Sequence, residues 1–352
     1  MDRYVLVVLA LAFCMTTAAG QESSVRWSGA FSTYYSHSVN MPDADVPRPT
    51  TQPARNGEFS IDLAMLSALW TFDDLEATIA LQAGTWANVN YSSSAWRHVH
   101  QASLHWKIDS SLYVIAGLMP SNIGAESSIN ARNLQLSRSL IADWTPYYMA
   151  GVGVGANVGE RVSVAAYAMN GWQVIEETSG NREVSFGTSF RWKASDHGSV
   201  AWNTYVGNDE PLGSARLRIH NNLWYEFDAH ENIRMVFLAD ASLLKQRASS
   251  AFNLAVYGGA TASYRLGRVS LVGRVEHMYD PERILVLHGT EVPLAPFIVT
   301  GASLGVDYTI AEGVLLRTEV RSLHGTDDVF PVTLQRSTRS DTFGTVMLSA
   351  TW

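Results

Sequence analysis

From Val25 onward, apolar and polar residues alternate in short stretches, and the alternation runs to the last residue. A period of two is the pleat of a β-strand, whose successive side chains point to opposite faces. Sixteen candidate strands follow: residues 25–37, 58–72, 75–91, 99–109, 112–119, 147–158, 161–172, 183–195, 199–209, 217–229, 232–246, 253–266, 268–280, 297–311, 314–324 and 342–352. Their connections alternate as regularly as their side chains. Tight turns fall at Asp73-Asp74, Asp109-Ser110, Gly159-Glu160, Ser195 to Gly198, Ala229 to Glu231, Gly267 and Glu312-Gly313. Between them lie longer links at 38–57, 92–98, 120–146, 173–182, 210–216, 247–252, 281–296 and 325–341. Short and long connections taking turns mark an up-and-down arrangement with both termini at one end. A soluble sandwich offers similar strands but has no reason to alternate its loop lengths.

The two faces of the strands differ in kind. In 217–229, Leu217, Ile219, Leu223, Tyr225 and Phe227 share one face, and Arg218, His220, Asn222, Glu226 and Asp228 the other. In 268–280, Val269, Leu271 and Val275 oppose Arg274 and Glu276. In 314–324, Val314, Leu316 and Val320 oppose Arg317, Glu319 and Arg321. A charge facing lipid costs about 2–4 kcal/mol near the midplane, so the charged face belongs inside a closed ring. The expected fold is therefore all-β: a transmembrane antiparallel up-and-down β-barrel of about sixteen strands, a single domain over residues 21–352. Its interior is expected to be wet, its short turns and termini periplasmic, and its long loops outside.

Composition narrows this further. Residues 1–20 read as a signal peptide, with apolar Tyr4 to Met15 followed by small residues to Gly20. Cys14, the only cysteine, lies in that leader, and Phe13 before it does not fit a lipoprotein site, so the mature chain offers no disulfide or thiolate chemistry. Past the leader no apolar run approaches the ~18 residues of a membrane helix. Yet the chain holds 11 Trp, 14 Tyr and 12 Phe. Trp27, Tyr35, Trp70, Trp86, Tyr91, Trp106, Trp172, Trp192, Tyr264, Tyr279 and Tyr308 fall near segment ends, as interfacial girdles require. The formal net charge is −8. The expected inward face is nonetheless basic: Arg26, Lys107, Arg191, Lys193, Arg218, Arg234, Arg274, Arg317 and Arg321 stand against Asp62, Glu226, Asp240, Glu276, Asp307 and Glu319. Charged rings set pore selectivity, so a slight anion preference is expected unless these charges cancel in pairs.

The longest link, 120–146, is the one expected to fold into the lumen and narrow it. Ser128 to Ala142 carries helix-forming residues, so a short helix is expected there. Its charges Glu126, Arg132 and Arg138 are expected to face the basic wall residues Arg274, Arg317 and Arg321, with Arg218, Glu276 and Glu319 also lining the pore. The next strand has Gly151, Gly153 and Gly155 opposite Val152, Val154 and Ala156. Those glycines are expected to face the lumen as a bare strip against which the loop packs.

Several stretches resemble the OmpL-like β-barrel porins (type 2) of Gram-negative outer membranes. They are Gly29-Ala-Phe-Ser-Thr-Tyr-Tyr35, Leu81-Gln-Ala-Gly84 with Asn90-Tyr91, and His100-Gln-Ala102. The central ones are Ala116-Gly-Leu-Met-Pro-Ser-Asn-Ile-Gly-Ala-Glu126, Ser137-Arg-Ser-Leu140, Pro146-Tyr-Tyr148 and Asn170-Gly-Trp-Gln173. Asn122 stands where the family has His, so no histidine role carries over there. The resemblance implies a diffusion pore in the outer membrane.

His37, Ser38 and Asn40 sit together as a lipase-type barrel would need, but neighbours on a strand point to opposite faces. His98 and His100, with His105 nearby, have zinc-like spacing but no carboxylate close in sequence. No basic patch interleaved with aromatics suggests nucleic acid. The expectation is a porin passing small hydrophilic solutes by passive diffusion, without enzymatic activity, cofactor or metal. The alternative is a non-conducting barrel serving as adhesin, receptor or structural anchor. Expected partners are outer-membrane lipid and the barrel-assembly machinery, the latter through the terminal aromatic Trp352. A homotrimer is an assembly open to such a chain.

Overall fold

The computed structural model describes residues 23–43, 48–176, 180–181, 183–210, 214–247, 249–286 and 295–352. The leader lies outside them. The sixteen expected segments each carry a strand, and those strands close into one antiparallel barrel. They are β1 (Ser23–Ser38), β2 (Phe59–Phe72), β3 (Leu75–Ala83), β4 (Val99–Lys107), β5 (Leu112–Pro120), β6 (Tyr148–Val158), β7 (Val162–Met169) and β8 (Ser185–Ser195). The other half is β9 (Gly198–Asn208), β10 (Leu217–His230), β11 (Ile233–Lys245), β12 (Phe252–Leu266), β13 (Val269–Asp280), β14 (Phe297–Ala311), β15 (Val314–Gly325) and, after a small hairpin, β18 (Ser340–Thr351). Each strand pairs with its sequence neighbours, and β18 closes the ring on β1 with Tyr34 opposite Met347. The tight turns use residues that tolerate positive φ, such as Gly267 (+60°) and Gly313 (+72°), which lets a two-residue turn follow the strand twist.

Two features of the loops depart from the expected strands. The segment 75–91 stops pairing at Ala83, because Gly84 turns the chain at φ 135° into a short helix, α1 (Thr85–Asn90). A Cβ at Gly84 would sit 2.2 Å from the Asp62 carbonyl oxygen, so only glycine fits. The link 325–341 contains the two-stranded hairpin β16 (Phe330–Thr333) and β17 (Arg336–Thr338).

The pleat separates the faces as expected. Val275, Leu304 and Val320 stand exposed on the outer surface, whereas Arg218, Arg274, Arg317 and Arg321 are buried inside. Trp27, Trp106, Trp192, Tyr264 and Tyr308 are exposed outside, in keeping with a girdle. Trp86, Tyr91 and Trp172 are not girdle residues: they sit in loops and pack inward, Tyr91 stacked on Tyr148 at 4.5 Å and Trp172 edge-on to Tyr205 at 5.0 Å.

The interior is not uniformly wet. At the long-loop end, Met278, Phe297, Val299, Leu323 and Phe343 of the wall bury against Leu140 and Ile141, against Ile284, Leu285 and Val286, and against Val329 and Phe330. Each fully buried large apolar side chain contributes about 1.5–3 kcal/mol, so this is a dry core inside a membrane barrel. The Asp280 carboxylate helps shape it by accepting the backbone N–H groups of Ile284, Leu285 and Val286 at 2.7, 2.9 and 2.9 Å. Residues 48–53 are also buried, so the first long loop dips inward as well.

The glycine strip of β6 has a different partner from the one expected. Gly151, Gly153 and Gly155 lie opposite the exposed Val152 and Val154, on the inner face. A Cβ on Gly153 would meet the ring of Tyr167 at 2.5 Å, and one on Gly155 the ring of Tyr113 at 2.2 Å. A Cβ on Gly151 would meet the backbone oxygen of Ala168 at 2.1 Å. Gly153 and Gly155 are thus covered by the aromatic rings of β7 and β5, which restore the packing that glycine lacks, and Ile123 of the long loop joins the same apolar cluster as Tyr167. Gly153→Ala is expected to destabilise the refolded barrel by about 1–3 kcal/mol through overpacking. A double-mutant cycle with Tyr167→Ala, read by urea unfolding in vesicles, should recover most of that cost while protease sensitivity of residues 130–140, anchored on the opposite wall, stays unchanged.

Candidate functional site: the infolded loop and the passage beside it

The link after β5, residues 121–147, enters the barrel without a ladder. Its helical content is a single 3-10 turn, Asn130–Arg132, and the remainder is irregular. A buried irregular backbone must find hydrogen-bond partners outside itself. Here the charged wall of β13, β14 and β15 supplies them.

Arg317 is held by Asp307 in a two-point pair at 3.0 and 2.9 Å, which leaves its other N–H groups aimed at the loop. They donate to the carbonyls of Asn130 (2.7 Å), Asn133 (3.1 Å) and Leu134 (2.7 Å). Arg274 donates to the Ser137 carbonyl and hydroxyl, both at 2.8 Å. Arg321 donates to the Arg138 carbonyl at 2.8 Å and pairs with Glu276 at 2.6 Å. The carboxylates take the loop's N–H groups: Glu319 accepts Ser137 N–H at 2.6 Å and its hydroxyl at 2.8 Å, and Glu276 accepts Leu140 N–H at 2.7 Å. Gln135 adds a bond to Ser303 at 2.8 Å. Within the loop, Arg138 donates to the carbonyls of Ser127 and Glu126 and lies 4.1 Å over the Tyr147 ring. Glu126 accepts from Ser139 N–H and hydroxyl at 2.9 and 2.7 Å.

The expected pore-lining set therefore divides. Arg274, Glu276, Arg317, Glu319 and Arg321 all point inward, but they are buried between loop and wall, and Arg138, on the loop itself, is buried with only an edge on a cavity of about 410 Å³. Their cause of burial is the loop itself, which covers the charged wall it was expected to face across water. Arg218 is not among them. It pairs with Asp209 at 2.9 Å, donates to the Ile284 carbonyl at 3.0 Å and lies 5.1 Å over Trp172, near the long-loop rim. Arg132 is exposed, and Glu126 borders open space at its edge.

That open space is a chain of three cavities. One of about 690 Å³ opens among the short turns and the strand ends of β10 to β13, lined by His197, Asp228, Arg234 and Leu134 among others. It shares Leu134 and Arg234 with a smaller one of about 200 Å³, which also holds Glu126, Arg132, Arg191, Trp224 and Glu226. This in turn shares Gly124, Ala125, Glu126 and Arg132 with a cavity of about 410 Å³ lined by Ser28, Ser67, His100, Gln101, Ser121 and Tyr147.

A family model described as "Putative beta-barrel porin-2, OmpL-like" matches residues 24–351. The chain belongs to this porin family. Among solved structures, the fold is similar to an anion-selective porin from Comamonas acidovorans (TM-score 0.66, 11% identity, 94% of this chain and 100% of that one). It is also similar to the outer-membrane channel DcaP of Acinetobacter baumannii (0.62, 12%, 96% and 99%) and to OmpT of Vibrio cholerae (0.62, 11%, 95% and 99%). No curated protein matches the chain. The porin is thus a bacterial outer-membrane barrel.

Other sequence candidates resolve plainly in the porin. His37 points out and Ser38 in, where the Ser38 hydroxyl donates to Asp341 at 2.5 Å. His98 and His100 both bond to Gln82, at its carbonyl (3.3 Å) and its side chain (2.9 Å), while His105 lies 3.5 Å from Glu76. Sequence reasoning missed the inward strap formed by residues 48–53. It is tied by Arg48–Asp341 at 2.9 Å, Thr51 to Asp143 at 2.5 Å and Trp144 to the Pro49 carbonyl at 3.2 Å. The buried Pro-Thr-Thr-Gln-Pro run offered no periodicity to reveal it.

Removing Arg321 leaves Glu276 and the Arg138 carbonyl under-satisfied in a buried site, at a cost of about 3–5 kcal/mol. Arg321→Ala is expected to lower the urea midpoint of the porin and to make residues 121–147 cleavable by added protease, whereas Gln substituted at exposed Arg132 should do neither. A second expectation concerns Asp143 in the loop. Burial pushes its carboxyl up to about 7 against the pull of Arg321, Arg138 and the Thr51 bond. The folded porin therefore holds this proton more tightly than the unfolded chain. The resulting stabilisation is full below about pH 4 and is lost as pH rises through about 7. Asp143→Asn should flatten the fall in melting temperature between pH 4 and 8.

Proposed function

We propose that this porin gives small hydrophilic solutes a passive, size-limited route across the outer membrane. The observation that supports it best is the linked series of cavities, lined in part by charged side chains, running from the short-turn mouth past the exposed side of the infolded loop. Arg132, Arg191, Glu226 and Arg234 border that route and need no chemistry to act: they present fixed charge to whatever diffuses by. The reading places the termini and short turns in the periplasm, following the usual loop asymmetry of such barrels. It also assigns the terminal aromatic to recognition by the barrel-assembly machinery, and includes assembly as a homotrimer.

A second reading has its own support. The apolar cluster at the long-loop end, together with the strap at 48–53, fills much of that mouth, as suits a barrel that holds loops for adhesion or binding and does not conduct. Conductance separates the two. Refolded porin in planar bilayers is expected to insert with discrete conductance steps, and liposomes carrying it to swell in small sugars at rates that fall with sugar size. Well-folded, heat-modifiable protein that gives neither would favour the non-conducting barrel.

A further inference from the structure

The arginines that line the neck are not the ones that hold the loop, and this distinction points to what the neck selects. This inference rests on the pore reading above. The 200 Å³ neck is the smallest of the three linked cavities and shares lining residues with both neighbours. Its titratable lining is Glu126, Arg132, Arg191, Glu226 and Arg234. Both carboxylates there are engaged. Glu226 is in an ion pair with Arg234, and Glu126 is held by Ser139 and lies 3.7 Å from the buried Arg274. Asp228, beyond the neck, lies 3.8 Å from Arg234 as well. Among the described residues, no carboxylate lies within ion-pair distance of Arg132 or Arg191. Both are exposed, and Arg191 is steadied 5.0 Å over the ring of Trp224, which lines the same neck.

A guanidinium pointing into a narrow, low-dielectric passage with no counter-charge repels cations and attracts anions. The wall arginines Arg274, Arg317 and Arg321 exert little such pull, because each is paired with carboxylates and screened from the passage by the loop. We infer that Arg132 and Arg191 are the specificity-determining residues of this pore, and that they make it selective for small anions, inorganic ions and carboxylates alike. Arg132 lines both the neck and the 410 Å³ cavity, so an anion leaving one meets the same guanidinium on entering the other.

The test is the reversal potential of the full refolded porin in a potassium chloride gradient across a planar bilayer. Wild type is expected to pass chloride in preference to potassium. Arg132→Glu combined with Arg191→Glu is expected to invert that preference, with Arg132→Gln combined with Arg191→Gln in between; Arg161→Glu, in an exposed turn, serves as the control and should leave it unchanged. Heat-modifiable gel mobility confirms folding, and the glutamine pair stands in if the glutamate pair does not fold. Sodium benzoate in place of chloride should show the same order for an organic carboxylate. An open pore without anion preference, or a preference that survives in the glutamine pair, overturns the inference and leaves the porin reading standing. Absence of conductance in folded wild type overturns the pore reading itself.

Discussion

A peptide segment that crosses the inside of a β-barrel has no strand beside it, and every one of its N–H and C=O groups must still be satisfied. This constraint orders the molecule. Apart from the 3-10 turn at Asn130–Arg132, residues 130–140 form neither a helix nor a ladder, so much of their main chain is bonded by side chains of the wall. Carboxylates Glu276 and Glu319 take N–H groups, and Arg274, Arg317 and Arg321 take carbonyls. Charge-assisted bonds of this kind are stronger than neutral ones, and here wall charges of both signs sit close enough to neutralise one another. An uncompensated charge at the same depth would cost more than its bonds return. The alternating arginines and glutamates along β13 and β15 therefore act as a socket for a loop.

The same constraint explains why one barrel has a dry half and a wet half. Where the loop leaves the socket, its side chains Leu140 and Ile141 turn toward the long-loop end, and the neighbouring loops bury apolar residues on them. Toward the short-turn end the loop presents Leu134, Asn133 and Arg132, and the wall opposite presents Arg191, Glu226 and Arg234. Two of the linked cavities open there. The narrowest of them is thus off-centre, displaced from the socket wall of β13 to β15 toward β8 and β10 to β12, while the 410 Å³ cavity lies against β1 to β4; which side of the loop is anchored sets where this space is left.

The strands were legible because lipid imposes a binary rule on each position. Leu304, Val320 and Val275 had to face out, and Arg274, Arg317 and Arg321 in, so period two alone located them. Loop interiors obey no such rule. The alternating run from Thr85 to Tyr91 looks like a strand, yet Gly84 ends β3 and the run becomes α1 with Trp86 buried. The Gly151, Gly153 and Gly155 strip showed that something must lie close, but only coordinates identify Tyr167 and Tyr113 as the cover. The division of inward charges into buried and exposed was likewise invisible, because pattern reports the face a residue occupies and not what covers it. Arg191 and Arg321 carry the same sequence signal and end in opposite environments.

Environment, more than residue type, separates the arginines that anchor the loop from those left exposed in this barrel. Arg317 holds Asp307 with two N–H groups and three loop carbonyls with the rest, a geometry that needs the planar fork of a guanidinium and that a lysine, with a single ammonium point charge, cannot reproduce. Its charge is spent on the fold. Arg132 sits on the loop that Arg317 holds, a few residues from those carbonyls, with its own side chain free to face the passage. Loosening the first would move the second, so the placement of the exposed charge depends on the buried ones behind it.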